Sequence, residues 1–208
     1  MSIKSFFLRS LAALAVTGAS LLSPAHAAGQ NHVKLDQAQP SDTSGKIEVL
    51  EFFAYSCPHC AAMEPMVEKW AKTLPDNVVL RQIPVAFNAS MRDLQKLYYA
   101  LEAIDRADLN DAVFKAIHVE KKPIYDAKAI TDWVVSQKVD RAKFEAAFNS
   151  FGVNTKINRA DELTRAYNIE GTPSLAVGGQ YVVSPSMTGS YQGTIDEAQK
   201  LLNGLLKK

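Results

Sequence analysis

The chain has only two cysteines, Cys57 and Cys60, and they flank the dipeptide Pro58-His59. Placed at random over this length, two cysteines would take that spacing about once in a hundred placements, so the pair asks for a chemical cause. The residues before it, Ile47 to Ala54, have the β-branched and aromatic content of a buried strand. After it, Met63, Val67, Trp70 and Leu74 recur at helical spacing, which predicts a helix from Pro58 to about Lys72. The pair therefore stands where a strand hands over to a helix N-terminus. The first turn of a helix has unpaired N–H groups and the positive end of the macrodipole, and both favour a thiolate over a thiol. Pro58 suits that first turn, where a missing N–H costs nothing. His59 adds a donor or a positive charge beside the sulfur. Each of these lowers the pKa of Cys57, and the thiolate is the attacking species. Cys60, one turn further in, can resolve a mixed disulfide from within the same loop. The assignment is Cys57 as exposed nucleophile and Cys60 as buried resolving thiol, the two forming a redox-active disulfide.

Two other uses of the pair fit less well. A structural disulfide here would close a very short loop and add little stability. A structural zinc site needs four ligands, and no second Cys or His pair stands at suitable spacing. No metal and no cofactor are expected.

Residues 1–27 are predicted to be a secretory signal. Lys4 and Arg9 supply its positive start, Leu11 to Leu22 its short apolar run, and Ala25-His26-Ala27 its cleavage site. No later stretch is long enough to span a bilayer as a helix. Export matters because an oxidising compartment lets such a pair persist as a disulfide. Residues 28–208 suit one domain, or one domain with a large insertion. The 23 basic and 22 acidic residues nearly cancel, so no basic field points to nucleic acid or a membrane surface.

Asn31 to Leu35 is a candidate edge strand, Ile47 to Ala54 the central strand and Val78 to Val85 a further strand. Glu51 is anomalous, a carboxylate closely flanked by Leu50, Phe52 and Phe53. A buried acid near a redox pair can accept and pass protons as thiols ionise. Pro65 predicts a kink in the first helix. Residues 90–168 are predominantly helical in pattern. Ser90 with Asp93, Asp126 and Asp140 are predicted caps, and Asn110 is predicted to open a short helix. Phe144, Phe148 and Phe151 form an aromatic stripe expected in the core, and a longer helix is predicted over 153–167. His118 and the Lys121-Lys122 pair have no evident partner, so a solvated role is expected for them. Gly178-Gly179 predicts a hairpin turn, and Thr194 with Glu197 a capping box for the last helix.

The run Phe52-Phe53-x-Tyr55-x-Cys57-Pro58-His59-Cys60 resembles the active site of the thioredoxin superfamily. Its Pro-His dipeptide resembles that of the DsbA-like branch, the bacterial periplasmic thiol oxidases. Gly171-Thr172-Pro173 leading into a strand is a second matching motif; in the superfamily this proline is cis and packs opposite the cysteines. The resemblance implies an α/β, thioredoxin-like fold, a central mixed β-sheet flanked by helices. Thr172 follows Cys60 much later than a plain thioredoxin fold requires, so about 88–150 is expected to be a large helical insertion. Glu51 matches a buried Glu of the family, six positions before the first Cys. The family often pairs that Glu with a base; the candidates are Arg81 and Gln82, and alignment favours Gln82, a departure. Thr172 would offer its backbone to an extended substrate segment by β-augmentation, and its hydroxyl could tune the potential.

The function implied is a periplasmic thiol oxidase that donates the Cys57–Cys60 disulfide to unfolded exported proteins with free thiols. A membrane quinone-linked oxidase of the DsbB type would re-oxidise it. A disulfide isomerase or reductase on the same fold is the nearest alternative. Isomerases of the superfamily carry an extra N-terminal dimerisation domain, whereas only about 20 residues precede the first strand of the exported chain. A peptide-binding chaperone is the alternative of a different class. A monomer is expected.

Overall fold

A computed structural model describes residues 31–207; the predicted signal at 1–27 lies outside the described residues. Five strands form one mixed sheet: β1 (Val33–Lys34), β2 (Ile47–Phe53), β3 (Val78–Pro84), β4 (Ser174–Val177) and β5 (Tyr181–Val183). Their spatial order is β1-β5-β4-β2-β3. Only β2 and β3 run parallel; the other three pairings are antiparallel. The strand leading to the cysteines is thus internal but not the middle one, a place taken by β4. Six of its seven residues are buried, which accounts for its near-continuous apolar run.

The two faces of the sheet are covered by different helices. Helix α1 (Pro58–Ala71) and helix α8 (Tyr191–Leu206) cover the face carrying Val49, Leu175 and Val177. The opposite face, with Leu50, Phe52 and Ala176, joins a larger core. That core is built with α2 (Arg92–Ala103), α3 (Asn110–His118), α4 (Ala127–Ser136), α5 (Arg141–Phe148) and α6 (Phe151–Ala166), all between β3 and β4. A short α7 (Pro185–Thr188), not expected from the pattern, precedes α8. Helix α1 runs on through Pro65.

Local chemistry sets most boundaries. Asp126 and Asp140 cap α4 and α5 as expected, accepting from Ala129 N–H at 2.9 Å and Lys143 N–H at 2.7 Å. Gly178 and Gly179 make the β4–β5 turn with φ of +57° and +70°. A Cβ on Gly179 would strike the Gln39 carbonyl, and the Gly179 carbonyl itself accepts from Gln39 N–H at 2.8 Å.

Several expected boundaries are corrected. Asn88, not Ser90, supplies the cap before α2, and Asp93 reaches Ala127 N–H at 3.0 Å instead. Helix α8 begins three residues before Thr194, because Ser190 accepts from Gly193 N–H at 3.0 Å. Thr194 is buried within the helix, and Glu197 binds His32 at 2.8 Å, tying the N-terminal arm to α8. Helix α6 begins at Phe151, capped by Ser150. The aromatic stripe is therefore broken: Phe144 and Phe148 are buried on α5, whereas Phe151 starts a new helix and is 87% exposed.

These environments predict unequal costs. Phe144→Ala should destabilise the protein by about 3–5 kcal/mol through loss of burial and a residual cavity. Phe151→Ala should stay within about 0.5 kcal/mol. Urea unfolding of the two variants measures both.

Candidate active site

Cys57 is the N-cap of α1, with extended backbone (φ −86°, ψ 116°), and Pro58 occupies the first helical position. The Cys57 N–H donates to the Ala54 carbonyl at 3.0 Å, and its own carbonyl accepts from Ala61 N–H at 3.2 Å. The chain turns between these bonds, leaving Cys57 partly exposed and Cys60 fully buried on the inner face of the helix. Both are free thiols.

Thr172 and Pro173, far along the chain, meet them. The Thr172–Pro173 peptide is cis. The Cys57 thiol donates to the Thr172 carbonyl at 3.3 Å. β4 starts immediately afterwards, and its pairing with β2 sets Ser174 opposite Phe52.

The two sulfurs titrate in opposite directions. The neighbouring Cys60 thiol is the largest influence lowering the Cys57 pKa; partial burial opposes it. The Cys60 backbone N–H, the Thr172 side chain and the His59 backbone N–H add to the lowering, and Cys57 is brought to about 5. Burial pushes Cys60 far above the ordinary thiol range, and its hydrogen bond to Cys57 and the Cys57 charge push the same way. His59 supports the sulfur through its backbone, while its ring is exposed and lies 2.7 Å, from Nδ1, to the Tyr191 hydroxyl on α8. His59, Thr172, Pro173 and Tyr191 line a cavity of about 730 Å³ that continues over Ile169 and Met187.

Glu51 is completely buried. The parallel register sets Glu51 beside Gln82, and partners in register share a face of the sheet. Gln82 Nε2 donates to Glu51 Oε2 at 3.1 Å and to Glu64 Oε1 at 2.7 Å. Arg81, one residue earlier, points to the other face and binds Glu48 at 2.8 Å and Asp42 at 3.2 Å. The partner of Glu51 is thus the neutral amide. Burial raises Glu51 to about 8, helped by the Glu64 charge and opposed by Gln82. Burial also raises Glu64 to about 7, against Gln82 and with help from Glu68 and Asp111. Oxygens Glu51 Oε1 and Glu64 Oε2 are buried without a hydrogen-bond partner among the described residues. Carboxylate oxygens of Glu64, Glu68 and Asp111 lie within 4.8 Å of one another; neither cysteine joins that cluster.

Sequence reasoning passed over four residues near the site. Glu64 carried a signal, lying one turn after Cys60 on the same helical face. Tyr191 carried none, since α8 is distant in the chain. His118, expected to be solvated, is half-buried, and its Nε2 donates to the Tyr55 carbonyl at 2.7 Å. Asn110 accepts from the Tyr55 hydroxyl at 2.5 Å. Of the two lysines, Lys122 pairs with Glu120 at 2.7 Å.

The buried acids make stability depend on pH. Their folded pKa values lie above the ordinary 4.5, so the folded state holds protons that the unfolded state has released. Their contribution is full below about pH 4.5 and is lost as pH rises through about 7 to 8. The slope approaches about 1.4 kcal/mol per pH unit for each proton. Glu51→Gln should flatten this fall, as read from urea midpoints between pH 4.5 and 8.

Comparison with known proteins agrees with this geometry. Residues 48–192 match the DSBA-like thioredoxin domain family. A thiol:disulfide interchange protein DsbA from Bordetella parapertussis is 53% identical over 199 residues, covering 94% of this chain and 95% of that protein. The crystal structure of Pseudomonas aeruginosa DsbA superposes with a TM-score of 0.81 at 32% identity, covering 86% of this chain and 95% of the other. The oxidoreductase NmDsbA1 from N. meningitidis gives 0.75 at 32% identity, covering 86% and 93%. By this family match and these relatives, the chain belongs to the DSBA-like thioredoxin domain family and is a thiol:disulfide oxidoreductase.

Proposed function

We propose that the chain is a thiol oxidase that donates the Cys57–Cys60 disulfide to newly exported polypeptides. The observation that carries this is the asymmetry of the two sulfurs: Cys57 is accessible and brought to about 5, while Cys60 is buried and raised. Stabilising the Cys57 thiolate stabilises the reduced protein, which makes its disulfide a good oxidant.

A substrate thiolate attacks the Cys57 sulfur, forming a mixed disulfide and expelling Cys60 as the leaving thiolate. Cys60, with its raised pKa, takes up a proton. A second substrate thiolate then attacks the substrate sulfur of the mixed disulfide, and Cys57 leaves as a thiolate. The substrate loses two electrons and two protons, and the protein gains the electrons. Glu51 is the buried proton carrier on this reading, acting beside Glu64 and Gln82. The substrate segment lies along the Thr172–Pro173 turn. The Thr172 N–H has no acceptor among the described residues, so it is free to pair with an extended chain. The cavity of about 730 Å³ receives the flanking side chains.

Residues 1–27 serve as the secretory signal and are removed, so that a single domain from residue 28 acts in the periplasm. Within it, about 88–150 is the helical insertion. Among the described residues no helix is long and apolar enough to cross a membrane. A membrane quinone-linked oxidase of the DsbB type restores the disulfide, and the protein works as a monomer.

The thiolate absorbance of the reduced mature protein, titrated against pH, tests the strong-oxidant reading. A midpoint at about 5 or below is expected. A midpoint near or above 7 would replace it with a reductase. In oxidation of a reduced, unfolded substrate, Cys57→Ser and Cys60→Ser, neither of which has a disulfide to donate, should each lose all activity; given a substrate that already carries a disulfide, Cys60→Ser should trap a mixed disulfide on Cys57, the substrate's other sulfur leaving as a thiol. Retention of activity by the double Cys→Ser variant would instead indicate a peptide-binding chaperone.

A further inference from the structure

Helix α3 grips the turn that carries Cys57, and it does so from both of its ends. Tyr55 lies two residues before the nucleophile and is buried. Its hydroxyl donates to Asn110, the first residue of α3, at 2.5 Å. Its carbonyl accepts from Nε2 of His118, the last residue of α3, at 2.7 Å. The His118 ring stacks on Phe114, one turn earlier, at an interplanar angle of 29°. Phe114 in turn meets the Tyr55 ring edge-on, with centroids 5.0 Å apart. Residues spaced at i, i+4 and i+8 share a helical face, so one face of α3 holds the side chain and the main chain of a single residue. The preceding carbonyl, that of Ala54, is already committed to the Cys57 N–H at 3.0 Å. Both peptide units that lead into Cys57 therefore have fixed directions.

We propose that His118 is a positioning residue for disulfide exchange: its Nε2–H, working with Asn110 at the other end of α3, orients the 54–57 turn and thereby aligns the Cys57 sulfur with its hydrogen-bond donors. It makes no hydrogen bond to either sulfur. Its effect is geometric. The Cys57 sulfur sits 3.3 Å from the Thr172 carbonyl, the groups that lower its pKa come from Cys60, Thr172 and the His59 backbone, and hydrogen bonds weaken steeply with misalignment. A Tyr55 carbonyl without its donor is an unsatisfied buried acceptor, and the turn would rotate to find another partner. That rotation would carry Cys57 away from the groups that stabilise its anion. The inference rests on the reading of Cys57 as the stabilised thiolate.

The test compares reduced mature wild-type protein with His118→Leu and His118→Gln by thiolate titration and by equilibrium with glutathione. Urea unfolding is run alongside. His118→Leu should raise the Cys57 midpoint by about half a pH unit or more and make the disulfide about threefold or more less oxidising. His118→Gln, whose side-chain N–H can serve the same carbonyl, should recover most of both. A His118→Leu protein with a lower unfolding midpoint but wild-type titration and equilibrium would reduce His118 to a structural role and overturn the proposal. If His118→Leu does not fold, Tyr55→Phe removes only the bond to Asn110. A smaller shift in the same direction is then expected, and an unchanged titration overturns the proposal. A wild-type midpoint near 7 is a different failure, because it refutes the reading of Cys57 itself whatever the variants do.

Discussion

The antiparallel register between β2 and β4 is the constraint on which the site depends. It sets Ser174 opposite Phe52, which places the Thr172–Pro173 turn beside the end of β2 where the chain turns into α1. The Cys57 sulfur then faces the Thr172 carbonyl at 3.3 Å. A slip of one residue would send every β4 side chain to the other face. It would also move Leu175 and Val177 out of the core they share with α1 and α8. The packing that stabilises the sheet and the geometry that brings the redox pair to the cis-proline turn are thus one arrangement. The whole helical block between β3 and β4 can be accommodated because it leaves this pairing untouched.

Around Glu51, among the described residues, no base balances the buried acid. Two carboxyl groups, Glu51 and Glu64, share one neutral amide, Gln82. An amide can donate to both but supplies no charge, so burial prevails and both acids are raised. The nearest arginine on the strand, Arg81, is spent on Glu48 and Asp42 on the opposite face. Acids raised to about 7 and 8 exchange protons near neutral pH, where a carboxylate held by an arginine would stay ionised.

The limits of legibility follow the physics of particular residues. Local signals were legible. A strand run, a cysteine pair at a helix start, Asp126 and Asp140 as caps and Gly178-Gly179 as a turn all act within a few residues of themselves. Glu51 was legible as buried because apolar neighbours flanked it. Competition between equally plausible local signals was not legible: Ser150 won a helix start that split the Phe144–Phe151 stripe, and Ser190 won over Thr194. Nor were partners from distant segments. His118 looked solvated because nothing near it in the chain could pair with it, yet its acceptor is the Tyr55 carbonyl. The Tyr191 hydroxyl at the His59 ring is a meeting of the same kind.

By itself the sequence determined the chemistry of the cysteine pair, and through its resemblance to the thioredoxin superfamily it implied the kind of fold. A Cys-Pro-His-Cys run after a buried strand and a Gly-Thr-Pro run before another are local patterns whose backbone and helix-terminus physics do not depend on the rest of the chain. The sequence also assigned Cys57 as the exposed sulfur and Cys60 as the buried one; tertiary structure decided which groups enforce that difference. Burial of Cys60, the donors that converge on Cys57, the neutral partner of Glu51 and the grip of α3 on Tyr55 all arise between segments far apart in the chain. Desolvation and hydrogen-bond geometry are properties of a packed interior, and they exist only once the sheet register and the helices around it have closed.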